Sequence, residues 1–189
     1  MSKIYIQGTF GAYSHLAALE IDPNAEVIPC KTFDECFKKT LSEKNSRIVI
    51  PESNRITGNI GVEYLIFKYR LNIYAEHFQK IEHNLLGQPD VSLSDIKDVF
   101  SHSPGLSQCS NFIKKNNFAE HIRADTAGSA EAISKKKIKS EAAIASSLSA
   151  KIYNREILAP NTQNEKRHAS RFLIMGKKVS QPDFADKRY

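Results

Sequence analysis

Strand and helix signals alternate along nearly the whole chain, and this alternation restricts the fold more than any other feature of the sequence. "KIYIQ" reads as a strand and runs into "GTFGAYSHLAALE", a glycine turn that opens a helix near Ser14. "EVIPC" predicts the next strand, "TFDECFKKTLSE" a helix capped by Thr32, and "SRIVIP" a further buried strand. After "ESNRITG" the pattern predicts a helix over "NIGVEYLIFKYR". Asn72 to Gly87 is β-rich and free of helix signals, which suits a segment carrying the chain between lobes. "IKDVFSH" begins a second series: a helix from Pro104, a strand at "HIRAD", a helix from Thr126, a strand at "AAIAS" and a helix to Tyr153. "SRFLIMG" is a closing strand that must find partners, so the expected class is α/β.

A chain of 189 residues can bury a substantial core as one domain or two small lobes. Its apolar stretches fall well short of the ~20 residues needed to span a bilayer, and Met1-Ser2-Lys3 leads straight into a strand with no signal-peptide core. No membrane association is expected. Cys30, Cys36 and Cys109 form neither a metal-ligand spacing nor, being odd in number, a closed disulfide framework, so a reduced cytoplasmic setting is expected. The net charge of +6 owes part of its excess to "KKKIK", Lys135 to Lys139, at the end of a predicted helix, where cations complement the dipole. Nucleic-acid binding would call for basic residues mixed with exposed aromatics or a known motif, and neither is present; an anionic small substrate fits the charge equally well. There is no low-complexity segment and no short repeat, and the tail after Gly176 is polar apart from Phe184 and Tyr189.

Four strand-to-helix junctions share a chemistry: Gly11 to Ser14, Ser53 to Asn59, Ser101 to Gly105 and Asp125 to Gly128. Each places small hydroxyl or amide side chains where helix N–H groups are unpaired, which serves ordinary capping and also attracts anions. In open α/β sheets such junctions lie at the carboxyl edge, where ligands bind. Two in each half of the chain point to an anion pocket between lobes. The stretch "HASRFLIMG" adds a question, because Arg171 stands at the head of an apolar strand. Either strand alternation turns it outward, or it reaches into a polar cleft.

The ordered series "GAYSHLAA", "PESNRITG", "IEHNLL", "SHSPGLSQC", "DTAGSA", "AAIAS" and "SRFLIM" resembles the catalytic domain of prephenate dehydratase, over about Lys3 to Met175. The resemblance implies two α/β lobes of periplasmic-binding-protein-like architecture with the active-site cleft between them. The expected first lobe is 1–77 plus 158–189, and the second is 78–157. It implies conversion of prephenate to phenylpyruvate, with loss of carbon dioxide and water, in phenylalanine biosynthesis, by a lyase that needs no metal or organic cofactor. The family's Thr-Arg-Phe signature corresponds to Ser170, Arg171 and Phe172 and is expected to face the cleft. Ser170 takes the place of the essential threonine. A serine hydroxyl is a poor general acid at neutral pH, so its expected role is hydrogen-bond donation to the leaving oxygen or one link in a proton relay. Arg171 is the second expected catalytic residue and suits bidentate carboxylate binding. Ser14, Asn54, Ser101, Gln108, Thr126 and Phe172 are the expected substrate-binding residues. His15, His83 and His102 are read as structural hydrogen-bonding groups, and Cys109 as buried packing.

The chain departs from the family pattern at Ser53, where a carboxylate is usual, at Arg55, where a serine is usual, and at Asn164 and His168, which replace an acidic residue and an asparagine. Glu52, Glu82 and His168 are candidates for the missing acid's role. Thirteen residues follow Gly176, too few for the family's C-terminal phenylalanine-binding domain, so none is expected. A homodimer stays open. The competing readings are a related prephenate- or arogenate-processing enzyme, such as an arogenate dehydratase or a non-aromatising decarboxylase, and a non-catalytic two-lobed binding protein. Turnover separates the last from the enzymes, and product identity separates the enzymes from one another.

Overall fold

The first strand, β1 (Lys3–Gln7), buries Ile4, Tyr5 and Ile6 in succession, because helices cover both faces of its sheet. The chain continues through α1 (Tyr13–Ile21), β2 (Glu26–Cys30), α2 (Phe33–Ser42), β3 (Ser46–Asn54), β4 (Gly58–Asn59), α3 (Glu63–Tyr69) and β5 (Asn72–Lys80). A second series follows: β6 (Asn84–Gly87), β7 (Asp98–Ser101), α4 (Ser103–Gln108), α5 (Ser110–Lys115), β8 (Ala119–Ile122), α6 (Thr126–Lys136), β9 (Glu141–Ala145), α7 (Ser147–Ile152) and β10 (Glu156–Ala159). The last strand is β11 (Ala169–Gly176). This computed structural model describes residues 2–54, 56 and 58–177; Met1, Arg55, Thr57 and 178–189, with Phe184 and Tyr189, lie outside the described residues.

The result is two α/β lobes. The first sheet has the order β2-β1-β3-β11-β5 with β4 on β3, and the second has the order β10-β6-β9-β7-β8. In each, the strands followed by crossover helices run parallel, while β11 enters the first sheet antiparallel to both β3 and β5. The chain leaves the first sheet after Lys80, enters the second at Asn84, and returns between Ala159 and Ala169. The expected boundaries at 77/78 and 157/158 fall inside β5 and β10, each of which stays with its own sheet to its end.

Strand alternation divides the first lobe's core in two. Ile4, Ile6, Val49, Phe172 and Ile174 pack beneath Ala17 and Ala18 of α1. Tyr5, Ile48, Ile50, Leu173 and Met175 face Phe37 of α2 and Leu65 of α3. The helix ends follow the sequence signals. Thr32 Oγ1 accepts from the Glu35 N–H at 3.1 Å, and Asp125 Oδ1 from the Gly128 N–H at 2.6 Å. Lys135 and Lys136 occupy the last turn of α6, and Lys135 pairs with Glu131 at 2.6 Å, so the basic run is a solvated helix end.

The junction at Ser53–Asn59 is a correction: it opens no helix. β3 extends through Asn54 and turns back as β4, pairing Ser53 with Asn59 and Asn54 with Gly58, whose φ of 78° permits the tight return. The extension follows from β11, which pairs with β3 up to Ser170↔Asn54, and α3 starts only at Glu63. The strand expected at "HIRAD" lies earlier, at Ala119–Ile122, because Asp125 is already the cap of α6.

Candidate active site

The two sheets present corresponding edges to the inter-lobe connections. β3 ends at Asn54, β5 at Lys80 and β11 begins at Ala169 in one lobe; β7 ends at Ser101, β9 at Ala145 and β6 begins at Asn84 in the other. The two connections are bound to each other. The His83 N–H donates to Gln163 Oε1 at 2.9 Å, the His83 carbonyl accepts from the Thr162 N–H at 2.8 Å and hydroxyl at 3.0 Å, and the Asn164 N–H donates to the Gln108 carbonyl at 2.7 Å.

Ser170, buried at the head of β11, is bonded to Asn54. The Asn54 Nδ2 donates to Ser170 Oγ at 2.7 Å. Asn54 Oδ1 accepts from the Ile56 N–H at 2.9 Å and lies 2.9 Å from His168 Nε2. The His168 ring is 6.4 Å, centroid to centroid, from that of His83. His83 Nε2 in turn meets Gln108 Oε1 at 2.7 Å, while the Tyr13 hydroxyl lies 3.0 Å from His83 Nδ1 and 2.8 Å from the Glu82 carbonyl. Two hydrogen-bonded groups, Ser170–Asn54–His168 on the first lobe's sheet edge and Tyr13–His83–Gln108 leading to the second lobe's α4, therefore meet at the two imidazole rings without a hydrogen bond between them. Burial pushes the His83 pKa down to about 4, outweighing its bond to Gln108, so the ring is neutral.

Of the expected site residues, Asn54 and Ser170 touch directly, and Gln108 is bonded to His83, whose ring lies beside that of His168. Ser14 is buried in the first turn of α1, a helix whose cap, Ala12, offers no side-chain acceptor. Thr126 is the buried first residue of α6. Ser101 Oγ donates to the Ile144 carbonyl at 2.9 Å, within its own sheet. Phe172 is 2% exposed and packs under α1, so it is a core residue.

Arg171 lies on the other face of β11 from Ser170. Ser170 and Arg171 are neighbours on a strand and point to opposite faces. Ser170 shares its face with Phe172 and α1; Arg171 shares its face with Leu173 and α3. Its Nε donates to Glu76 Oε2 at 2.6 Å and its Nη1 lies 3.3 Å from Glu52 Oε2, beside a groove of about 420 Å³ that Glu63 and Ile73 also line. The guanidinium is thus paired away from Ser170, and Glu52 is engaged with it. Glu82 is paired with Lys80. Of the three candidates for the missing acid's role, only His168 is bonded to the Asn54–Ser170 pair.

His15 and His102 are braces. His15 Nδ1 accepts from the Gly11 N–H at 3.0 Å, and His102 Nδ1 caps α4 by accepting from the Gly105 N–H at 3.1 Å; burial lowers the pKa of both. Burial pushes the Cys109 thiol up to about 11, and its sulfur lies 3.4 Å from Thr162 Oγ1, which makes it inert packing. Among the described residues, no group of three or more His, Cys, Asp or Glu side chains is placed to hold a metal.

The prephenate dehydratase family profile matches residues 4–180. The chain belongs to the prephenate dehydratase family. It is 36% identical over 181 residues to arogenate dehydratase/prephenate dehydratase 1, chloroplastic, of Arabidopsis thaliana, covering 95% of this chain and 46% of that one. It is 35% identical over 176 residues to arogenate dehydratase 2 of Petunia hybrida, covering 93% and 45%. Among solved structures it is similar to one described as a novel type of quorum-quenching acylase, with a TM-score of 0.88, 29% identity, and coverage of 95% of this chain and 65% of that one. The chain spans about half the length of these two plant relatives. Its departures from the prephenate dehydratase pattern at Ser53, Asn164 and His168 now have places, while Arg55 lies outside the described residues. Asn164 Oδ1 accepts from the Asn111 N–H at 3.1 Å, bracing α5, and Ser53 pairs with Arg171 across β3 and β11. Sequence reasoning left the role of His168 open, although a histidine two residues before a motif hydroxyl was itself the signal.

Proposed function

We propose that this chain catalyses the decarboxylative dehydration of prephenate to phenylpyruvate. The observation that carries the reading is the Asn54–Ser170 hydrogen bond at the sheet edge between the lobes, joining two residues that the family resemblance assigns to the cleft. In this reaction the bond from the ring to its carboxylate breaks, and its electron pair passes through the ring. The carboxylate leaves as carbon dioxide, the ring C–OH bond breaks in turn, and the hydroxyl takes up a proton from solvent and leaves as water. Aromatisation supplies the driving force, so the protein has to orient two carboxylates, exclude water and stabilise the departing oxygen. Ser170 is the donor to that oxygen. The uncapped N-terminus of α1 beside Ser14 suits a carboxylate, since its first-turn N–H groups are not occupied by a cap side chain. A reducing, cytoplasmic location belongs to the same reading, all three cysteines being free and buried.

Arogenate, which the plant relatives' names carry, is the alternative substrate for the same chemistry. Purified protein incubated separately with prephenate and arogenate, with products identified by mass spectrometry, tests both. Phenylpyruvate from prephenate supports the proposal, and phenylalanine formed only from arogenate reassigns the substrate. A decarboxylated product that keeps its hydroxyl, or release of the acyl chain from an N-acyl-homoserine lactone without turnover of either acid, overturns it.

A further inference from the structure

A hydrogen bond whose hydrogen could sit on either partner has no mechanistic meaning until its polarity is known, and here one backbone group decides the polarity of a whole chain. The Ile56 N–H can only donate, and it lies 2.9 Å from one end of the Asn54 amide, so that end is the oxygen. The same oxygen lies 2.9 Å from His168 Nε2, so Nε2 carries a hydrogen. The other end of the amide is then NH2, and it donates to Ser170 Oγ at 2.7 Å. Ser170 Oγ is therefore an acceptor in this bond, and its own hydrogen is left over. His168 is 1% exposed, and its Nδ1 is a buried atom with no partner among the described residues, as befits a neutral ring with its one hydrogen on Nε2. Burial also lowers its pKa, which keeps the ring neutral.

We propose that His168 is a positioning residue: by donating from Nε2 to Asn54 it locks the amide so that the Ser170 hydroxyl hydrogen is held available for the departing oxygen. The proposal rests on the dehydratase reading for its consequence, but the polarity of the chain does not. His168 approaches Asn54 from the buried side, while Ile56 sits on the exposed hairpin between β3 and β4. Without His168 the amide loses the donor that holds it from the buried side, and an amide rotated by 180° would present its oxygen to Ser170. The hydroxyl would then donate to Asn54 and lose the donor role.

Two measurements on the full chain test this. Nitrogen-15 NMR of the histidine rings in the free protein near pH 7.5, with the His168 signals assigned by the His168→Gln variant, should show a neutral ring protonated at Nε2. A ring protonated at Nδ1, or a charged one, overturns the proposal without reference to any substrate. Steady-state kinetics with whichever acid is turned over should show His168→Leu lowering kcat about tenfold or more with KM within about threefold, as for an interaction felt in the transition state. His168→Gln, whose amide nitrogen can occupy the place of Nε2, should recover most of the loss. Added to Ser170→Ala, the His168→Leu change should cost less than about twofold more, because the two act through one hydroxyl. A full additive loss in that background, or a His168→Leu enzyme within about twofold of wild type, overturns it. If the wild type turns over neither acid, the enzyme reading fails, and the ring tautomer alone decides the polarity of the chain.

Discussion

Gly11→Ala should part the lobes where the loop before α1 meets α7. The Gly11 carbonyl accepts from the hydroxyls of Ser146 at 2.6 Å and Ser149 at 2.9 Å, and the Tyr153 hydroxyl donates to the neighbouring Phe10 carbonyl at 2.7 Å. The loop between β1 and α1 is thus clasped by the start and end of α7. A Cβ at Gly11 would sit 2.5 Å from Ser149 Oγ and 2.9 Å from Ser149 Cα, so the loop and α7 must separate. Gly8 is the built-in control, since it also has positive φ, 111°, but its added Cβ would meet only Ala12 Cβ at 3.5 Å. Alanine at positive φ costs about 1–2 kcal/mol at either position. At Gly11 the loss of two hydroxyl–carbonyl bonds adds about 1 kcal/mol each. For a chain of this size each kcal/mol lowers Tm by about 2–4 °C, so Gly11→Ala should melt roughly 4–8 °C below Gly8→Ala. Hydrogen exchange should speed up in α7 and the 8–12 loop only in the Gly11 variant. Equal melting temperatures and equal exchange for the two variants would refute the clasp.

Two further outcomes follow from the site's electrostatics. Arg171→Gln removes pairs with Glu52 and Glu76 on the face opposite Ser170, so kcat and KM should each change by less than about threefold and Tm should fall only slightly, as for a partly exposed ion pair. A loss of two orders of magnitude in kcat would return Arg171 to the chemistry. Acid should destabilise the fold through His83. With its pKa lowered to about 4 in the folded state, the unfolded chain binds the extra proton first, so stability is full above the ordinary histidine value and declines as pH falls from about 6.5 to 4. The decline amounts to roughly 3 kcal/mol. Melting curves across that range should show it, and His83→Gln should flatten the slope, leaving the smaller contributions of His15, His102 and His168, whose pKa values are also lowered by burial.

What could be read from the sequence divides along the range of the interactions involved. Thr32 and Asp125 cap the helices their local pattern assigns to them, because a cap is decided within four residues. The Ser53–Asn59 segment reads locally as a helix start, whereas the strand that extends β3 there arrives more than a hundred residues later in the chain. The sequence leaves two directions open for Arg171, outward by strand alternation or into the cleft with its motif, and the buried residues from Phe172 to Met175 put it on the face opposite Ser170. Phe172 follows the same rule: it shares the face of Ser170 but lies one step deeper, under α1. The link from Asn54 to His168 depends on which end of an amide faces which neighbour, and only three-dimensional contact with the Ile56 N–H decides that.

The kcat of Ser170→Ala on prephenate, compared with wild type and Ser170→Thr, tests the central claim most directly. Ser170 is 6% exposed and bonded to Asn54, so alanine deletes one hydroxyl at the sheet edge while the strand pairing on both sides of it is kept. Loss of one transition-state donor is worth about a hundredfold or more, so kcat should fall by that factor with KM within a few fold. Threonine restores the hydroxyl and should bring kcat back to within about tenfold of wild type. An alanine enzyme that is correctly folded and turns over within about threefold of wild type would contradict the account.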